Sequence, residues 1–298
     1  MGKKDDLDFD NFKVIDGKNF SLSDYPTEVK KKVLDKEEGE LFIQQDIAEL
    51  SSLQDVLYAD NRHAVLIVIQ AMDAAGKDGT IKHIMSGVNP GGVTVTGFKT
   101  PTTVELNHDY FWRHYKALPA KGEIGIFNRS HYENVLITKV HPEFILNEKH
   151  STIKSLDDIN KSFWNDRYNQ ICRFEKNLVE NDVTILKFFL HVSKEEQKQR
   201  FLNRIDDPKK NWKFSTADLK ERAFWDDYQK AYEDAIANTS TKSAPWFIIP
   251  ADNKWYMRYI VGKIICNELK KLELKYPVIS ENEKEALIKS KETLMNEN

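Results

Sequence analysis

Apolar positions along the chain fall into two kinds of pattern, continuous runs and helical periodicities, and the two alternate. His63-Ala-Val-Leu-Ile-Val-Ile-Gln70 is a β-branched run with no polar alternation, the mark of a parallel strand covered on both faces. Val93 to Phe98, Glu123 to Asn128, Val183 to Val192 and Trp246 to Ala251 read as further strands. Between them the spacing changes to that of helices. Leu41, Ile47, Leu50, Leu53, Val56 and Leu57 predict a helix over 41–58, and others are predicted over 104–118, 156–178, 217–237 and 254–272. Ser193-Lys-Glu-Glu196 has the pattern of a capping box, and Asp207-Pro208 ends the helix it starts. Strand-helix alternation of this kind predicts an α/β fold with a central parallel sheet between two helical layers.

The division expected is an N-terminal arm over 1–40, a catalytic domain over 41–275 and a polar helix or tail over 276–298. Composition narrows the class. An apolar fraction of 40% and a charged fraction of 31% suit a globular enzyme. No apolar run reaches the ~20 residues that span a bilayer, and the first residues are charged where a signal peptide is apolar, so a cytoplasmic protein without membrane attachment is expected. Cys172 and Cys266 are far apart and outside any Cys-x-x-Cys pattern, which predicts two reduced, buried thiols. No zinc-type histidine spacing occurs. The net charge of −3 gives no general attraction to nucleic acid, so any anionic ligand must meet a local concentration of positive charge.

One such place follows the first strand, where Ala71-Met-Asp-Ala-Ala-Gly-Lys-Asp-Gly-Thr80 leads into a helical stretch. A strand, a small-residue loop and a helix start turn backbone N–H groups toward phosphate, and Lys77 adds charge. Ala71 replaces the first glycine of the usual Walker A pattern, and Asp78 stands where serine or threonine normally holds Mg²⁺. An acidic loop repels phosphate unless a cation intervenes, so Asp73, assisted by Asp78, is the expected Mg²⁺ ligand. Ala74, Ala75, Gly76, Gly79, Thr80 and Lys82 complete the expected phosphate-binding set.

A second place is Asn128-Arg129-Ser130-His131-Tyr132-Glu133, at the carboxyl end of a strand where open α/β sheets bind ligands. Arg129 is expected to face Lys77 and stabilise charge on a phosphoryl group in transit. A third is the stretch 197–213, with six basic residues against two acidic ones. Arg200, Arg204, Lys209 and Lys210 there are expected to belong to a lid, about 197–225, that closes over a highly charged anion. Trp112 and Arg113 offer an aromatic face and a phosphate contact, with a core role favoured for Trp112. The readings open at this point are a phosphotransferase using a polyanionic donor, an ATP-dependent nucleotide or small-molecule kinase, and a non-enzymatic polyanion-binding module.

Taken in order, Ala71-Met-Asp-Ala-Ala-Gly-Lys-Asp-Gly79, Gly125-Ile-Phe-Asn-Arg-Ser-His-Tyr-Glu133, Lys187-Phe-Phe-Leu-His-Val-Ser193 and Asn211-Trp-Lys-Phe214 resemble the polyphosphate kinase 2 family. The resemblance runs from about Leu41 to Leu272. It implies a P-loop kinase-like three-layer α/β/α sandwich with a helical lid, and Mg²⁺-dependent phosphoryl transfer between inorganic polyphosphate and a nucleotide. Carried over by motif, Asp73, Lys77 and Arg129 are similar to the catalytic set, and Arg113, Arg129, Ser130 and Glu133 are expected around the nucleotide. Asn128 departs from the aspartate of many members. The Asn-Arg-Ser-His-Tyr-Glu form resembles the subgroup acting on both AMP and ADP, yielding ADP and ATP, and a homo-oligomer is expected from the same resemblance.

Overall fold

A computed structural model describes residues 8–29 and 36–297. Six strands form one sheet in the order β1-β6-β5-β2-β4-β3. In chain order the elements are β1 (Lys13–Val14), α1 (Lys36–Asp60), β2 (Ala64–Ala71), α2 (Lys77–Ile84), β3 (Val93–Gly97), α3 (Trp112–Tyr115) and β4 (Ile124–Asn128). These are followed by α4 (Ile137–Val140), α5 (Lys161–Glu180), β5 (Val183–His191), α6 (Lys194–Asp206), α7 (Thr216–Ala223) and α8 (Trp225–Thr239). β6 (Trp246–Pro250), α9 (Lys254–Lys270) and α10 (Glu281–Met295) complete the fold, with short 3-10 turns between.

The continuous apolar run of β2 is buried at every position, between β4 and β5, both parallel to it. β6 extends the parallel sheet beyond β5 and β3 lies at the far edge, where Thr94, Val95 and Gly97 are exposed. The parallel sheet expected from sequence therefore holds for five strands. The sixth comes from the N-terminal arm: Lys13 and Val14 pair antiparallel with Phe247 and Trp246, and Val14 and Leu22 are buried. On one face α9 packs against β5 and β6 with α1 outside it and α2 alongside, and on the other α5 packs against β5 with α8 beside it. This is the expected three-layer sandwich.

Two expected helices are broken. The segment 104–118 holds only a 3-10 turn, Glu105–Asn107, and the single turn of α3. The Asp109 carboxylate accepts the Phe111 N–H at 2.9 Å and starts a new turn there, as short polar side chains do when they compete with a helix. The stretch 217–237 divides at Phe224: α7 buries no residue, whereas α8 buries Trp225, Tyr228, Ala231, Tyr232, Ala235 and Ile236. Ser193 caps α6 by accepting from Glu196 N at 3.1 Å, while the Glu196 carboxylate turns to Arg200 instead of closing a box. Of the two free cysteines, Cys266 is buried, but Cys172 is only half-buried, with its thiol 3.5 Å from the Asn238 carbonyl. No described helix is long and apolar enough to cross a membrane.

Candidate active site

The carboxyl ends of β2 and β4 are adjacent because the two strands pair in parallel, Ile69 opposite Asn128. The loop after β2 and the segment after β4 therefore open into the same space. Gly76 caps α2 with φ 112°, a left-handed conformation that only glycine adopts without strain. Ala74 and Arg129 hold φ of 59° and 63° without that freedom, a cost of about 1–3 kcal/mol each that surrounding contacts must sustain.

Those contacts are visible. For Arg129, its N–H donates to Ile69 O at 3.2 Å and its guanidinium reaches Asp73 Oδ1 at 3.1 Å. For the loop, Arg200 is the brace: it donates to the carbonyls of Ala74 and Ala75 at 3.1 and 2.6 Å, to those of Ala251 and Asp252 at 2.6 and 3.1 Å, and to Glu196 at 2.7 Å. Arg200 is buried and its five N–H groups are engaged, so it braces the phosphate-binding loop, while it also lines the cleft beside that loop.

An open cleft of about 1150 Å³ is lined by Asp73, Ala74, Gly76, Lys77, Asp78, Gly79, Asn128, Arg129, Arg204 and Lys210, among others. Lys77 Nζ donates to the carbonyls of Ala71 and Met72 at 2.7 and 3.2 Å. Burial lowers its pKa, with Asp73 pulling the other way and Arg129 adding to the fall. Arg129 is also buried against its charge, but Glu133 and Asp73 outweigh that and raise its pKa. Glu133 is raised by burial, against the pull of Arg129 and Lys77. Asn128 donates to Asp78 at 2.6 Å, so the residue that replaces an aspartate orients the loop's second carboxylate.

Four expected contacts lie elsewhere. Lys82 and Lys209 are exposed and outside the lining of this cleft. Thr80 is buried, donates to Gly76 O at 3.0 Å and does not line the cleft. Ala75 is buried with its carbonyl held by Arg200. Within the stretch 197–225 expected to form a lid, Gln197, Arg200 and Phe201 are buried on α6. Arg204, Lys210, Trp212, Lys213 and Asp218 from the same stretch line the cleft. Arg204 pairs with Asp218 at 3.6 Å, and Lys210 with Asp207 at 2.5 Å. Burial, and then Asp73, raise the Asp218 pKa.

A second cavity, about 330 Å³, adjoins the cleft, and Phe98, Lys99 and Arg129 line both. Arg113, Ser130 and Glu133 line it as well, so the four expected nucleotide contacts surround one space. Arg113 lies over the Phe98 ring at 5.0 Å, donates to Lys99 O at 2.8 Å and pairs with Glu105 at 3.4 Å. Trp112 belongs neither to the core nor to this cavity: half-buried, it stacks on His108 at 4.0 Å with Lys116 over its ring.

Beneath the Arg129 segment lies a polar network. Lys187, fully buried on β5, donates to Glu175 at 2.6 Å, Tyr132 Oη at 3.0 Å and Thr239 O at 2.9 Å. Tyr132 donates to the other Glu175 oxygen at 2.7 Å, which His131 approaches at 3.3 Å. Ser130 accepts from Gln70 and from Tyr132 N. Sequence reasoning also passed over Lys99, Asp218, Lys254 and Arg258, all of which line the cleft. The rule that ligands meet strand ends applies equally to β6, after which Lys254 and Arg258 stand one helical turn apart.

A strand, P-loop and helix, a facing arginine and a basic cleft on a three-layer α/β sandwich define a P-loop kinase-like phosphotransferase. The family model for polyphosphate kinase 2 matches residues 33–277. An ADP-polyphosphate phosphotransferase of Rhodopseudomonas palustris is 45% identical over 284 residues, covering 95% of this chain and 97% of the relative. An AMP/ADP-polyphosphate phosphotransferase of Meiothermus ruber is 49% identical over 228 residues, 76% of this chain and 80% of the relative. The crystal structure of polyphosphate kinase 2 from Arthrobacter aurescens matches with a TM-score of 0.83 and 38% identity, covering 94% of this chain and 95% of that one. The chain belongs to the polyphosphate kinase 2 family.

Proposed function

We propose that this enzyme transfers the terminal phosphoryl group of inorganic polyphosphate to AMP and to ADP, forming ADP and ATP, with Mg²⁺ as cofactor. The observation that carries the reading is the place of Arg129, which lines both the open basic cleft and the smaller cavity. An elongated polyanion suits the cleft, and a nucleotide suits a cavity of about 330 Å³, within the usual range for small-molecule sites. The names of the Rhodopseudomonas and Meiothermus relatives support polyphosphate as donor, and the latter supports both acceptors.

The carboxylates of Asp73 and Asp78 fit Mg²⁺, since each has one oxygen committed, to Arg129 and Asn128, and both line the cleft. Two carboxylates completed by phosphate oxygens and water are what that ion ordinarily takes. When bound, Mg²⁺ would neutralise phosphate oxygens. Lys77 then exchanges the carbonyls of Ala71 and Met72 for phosphate oxygens, and Arg129, kept charged by Glu133 and Asp73, holds the group in transit. A terminal phosphate oxygen of the nucleotide attacks the end phosphorus in line; the new P–O bond forms as the bridging P–O bond breaks, leaving the chain one unit shorter. Positioning and electrostatics carry the catalysis, with no covalent enzyme intermediate. Free thiols at Cys172 and Cys266 support a reducing, cytoplasmic setting.

The test is purified enzyme with Mg²⁺ given AMP plus polyphosphate, or AMP plus ATP. ADP and then ATP from the first mixture are expected; product from the second mixture alone would establish an ATP-dependent kinase instead.

A further inference from the structure

The cleft extends past the catalytic loop to α9, away from the cavity around Arg113. Lys254 and Arg258 line the cleft there, and neither lines that cavity. Their i, i+4 spacing sets them about one turn, roughly 6 Å along the axis, apart on one face of the helix. Arg258 lies against the first turn of α2: a Cβ on Gly79 would meet its Nη2 at 3.3 Å. Glycine at 79 thus lets a guanidinium lie beside the phosphate-binding loop.

These two cations lack the partners that other basic residues of the cleft have. Arg204 and Lys210 pair with Asp218 and Asp207, and Arg129 pairs with Asp73. Among the described residues neither Lys254 nor Arg258 forms an ion pair, and the buried Arg258 Nε has no hydrogen-bond partner. Burial lowers the pKa of both, and Arg200 nearby lowers it further, with Glu196 opposing this for Lys254. Lys254 is exposed, and both residues also line an adjoining hollow with Glu195 and Glu196, the latter taken by Arg200, so two cations without an ion pair at the edge of a cleft beside a phosphate loop favour an anion there.

We propose that Lys254 and Arg258 form a subsite for the phosphates of the donor chain that lie behind the one being transferred, and so set a preference for long polyphosphate over short. The proposal rests on polyphosphate as donor. A long chain reaches from Lys77 across Gly79 to Arg258 and Lys254, whereas a chain of three phosphates is spent at the loop. Binding to the pair adds nothing to the chemical step, so it acts on the KM of the donor and not on that of the nucleotide.

The experiment measures kcat and KM for long-chain polyphosphate and for tripolyphosphate in the wild type, K254Q, R258Q, the double variant and R258K, with AMP saturating and thermal melting as the check on folding. Loss of charge-assisted contacts should raise the long-chain KM of the double variant by roughly tenfold or more, with a much smaller change for tripolyphosphate. R258K should recover part of the preference, and the KM for AMP should stay in place. If folded variants keep the wild-type ratio of long to short donor, the subsite is wrong and the donor assignment stands. A wild type that makes no product from any polyphosphate overturns both.

Discussion

Asp73 Oδ1 and Arg129 Nη2 lie 3.1 Å apart, joining the loop after β2 to the strained residue that follows β4. In the proposed reaction the pair would let two strand tips act on one phosphoryl group. Residues that act as a unit are strongly non-additive. Asp73→Asn with Arg129→Ala should therefore lose little more turnover than the worse single variant, measured as kcat with AMP and polyphosphate. A double variant whose loss equals the product of the single losses would show that the two act separately.

Arg200 gives a different signature from a ligand residue. Four of its five donors hold carbonyls of the loop and of the segment after β6, so Arg200→Gln leaves several buried acceptors unpaired at about 1–3 kcal/mol each. Urea unfolding should show a stability loss of several kcal/mol together with lost activity, whereas variants of Arg204 should affect donor KM at near-normal stability.

The buried Lys187–Glu175 pair supports the segment that carries Arg129. Removing one partner of a buried pair strands the other charge, at about 3–5 kcal/mol. Lys187→Met should lose about that much by chemical denaturation. The double variant Lys187→Met, Glu175→Gln should recover part of it, and a double variant whose loss equals the sum of the two single losses would mean that the pair is not coupled.

Activity should fall on the alkaline side below the ordinary lysine range, because burial lowers the Lys77 pKa and the ammonium is needed to hold phosphate. Glu133 opposes that shift, since its negative charge favours the protonated amine. Glu133→Gln should therefore move the alkaline limb of kcat/KM to lower pH. A limb that stays in place or moves up would show that it does not report Lys77.

Much of this arrangement is legible in the sequence because it depends on local pattern. The apolar run of β2 and the Gly76-Lys77 pair fix strand, loop and helix within a few residues, and parallel pairing brings Arg129 to the same end. What escapes depends on which way a helix is turned. Arg200 sits in a basic run and reads as a lid residue, yet Gln197, Arg200 and Phe201 share the buried stripe of α6 at i, i+3, i+4 spacing. Lys82 and Lys209 err in the opposite sense, as positive charges near the motif that point to solvent. Lys254 and Arg258 lie about 180 residues beyond the loop, and only the neighbouring positions of β6 and β5 in the sheet bring them to it. The break at Asp109 depends on one side-chain hydrogen bond that apolar spacing does not register.

The most direct test of a shared site for Asp73, Lys77 and Arg129 is the turnover of Lys77→Ala and Arg129→Ala with AMP, polyphosphate and Mg²⁺, alongside thermal melting. Both should melt near the wild type and lose roughly 10² to 10³ in kcat. Near-normal rates in both variants would contradict the account.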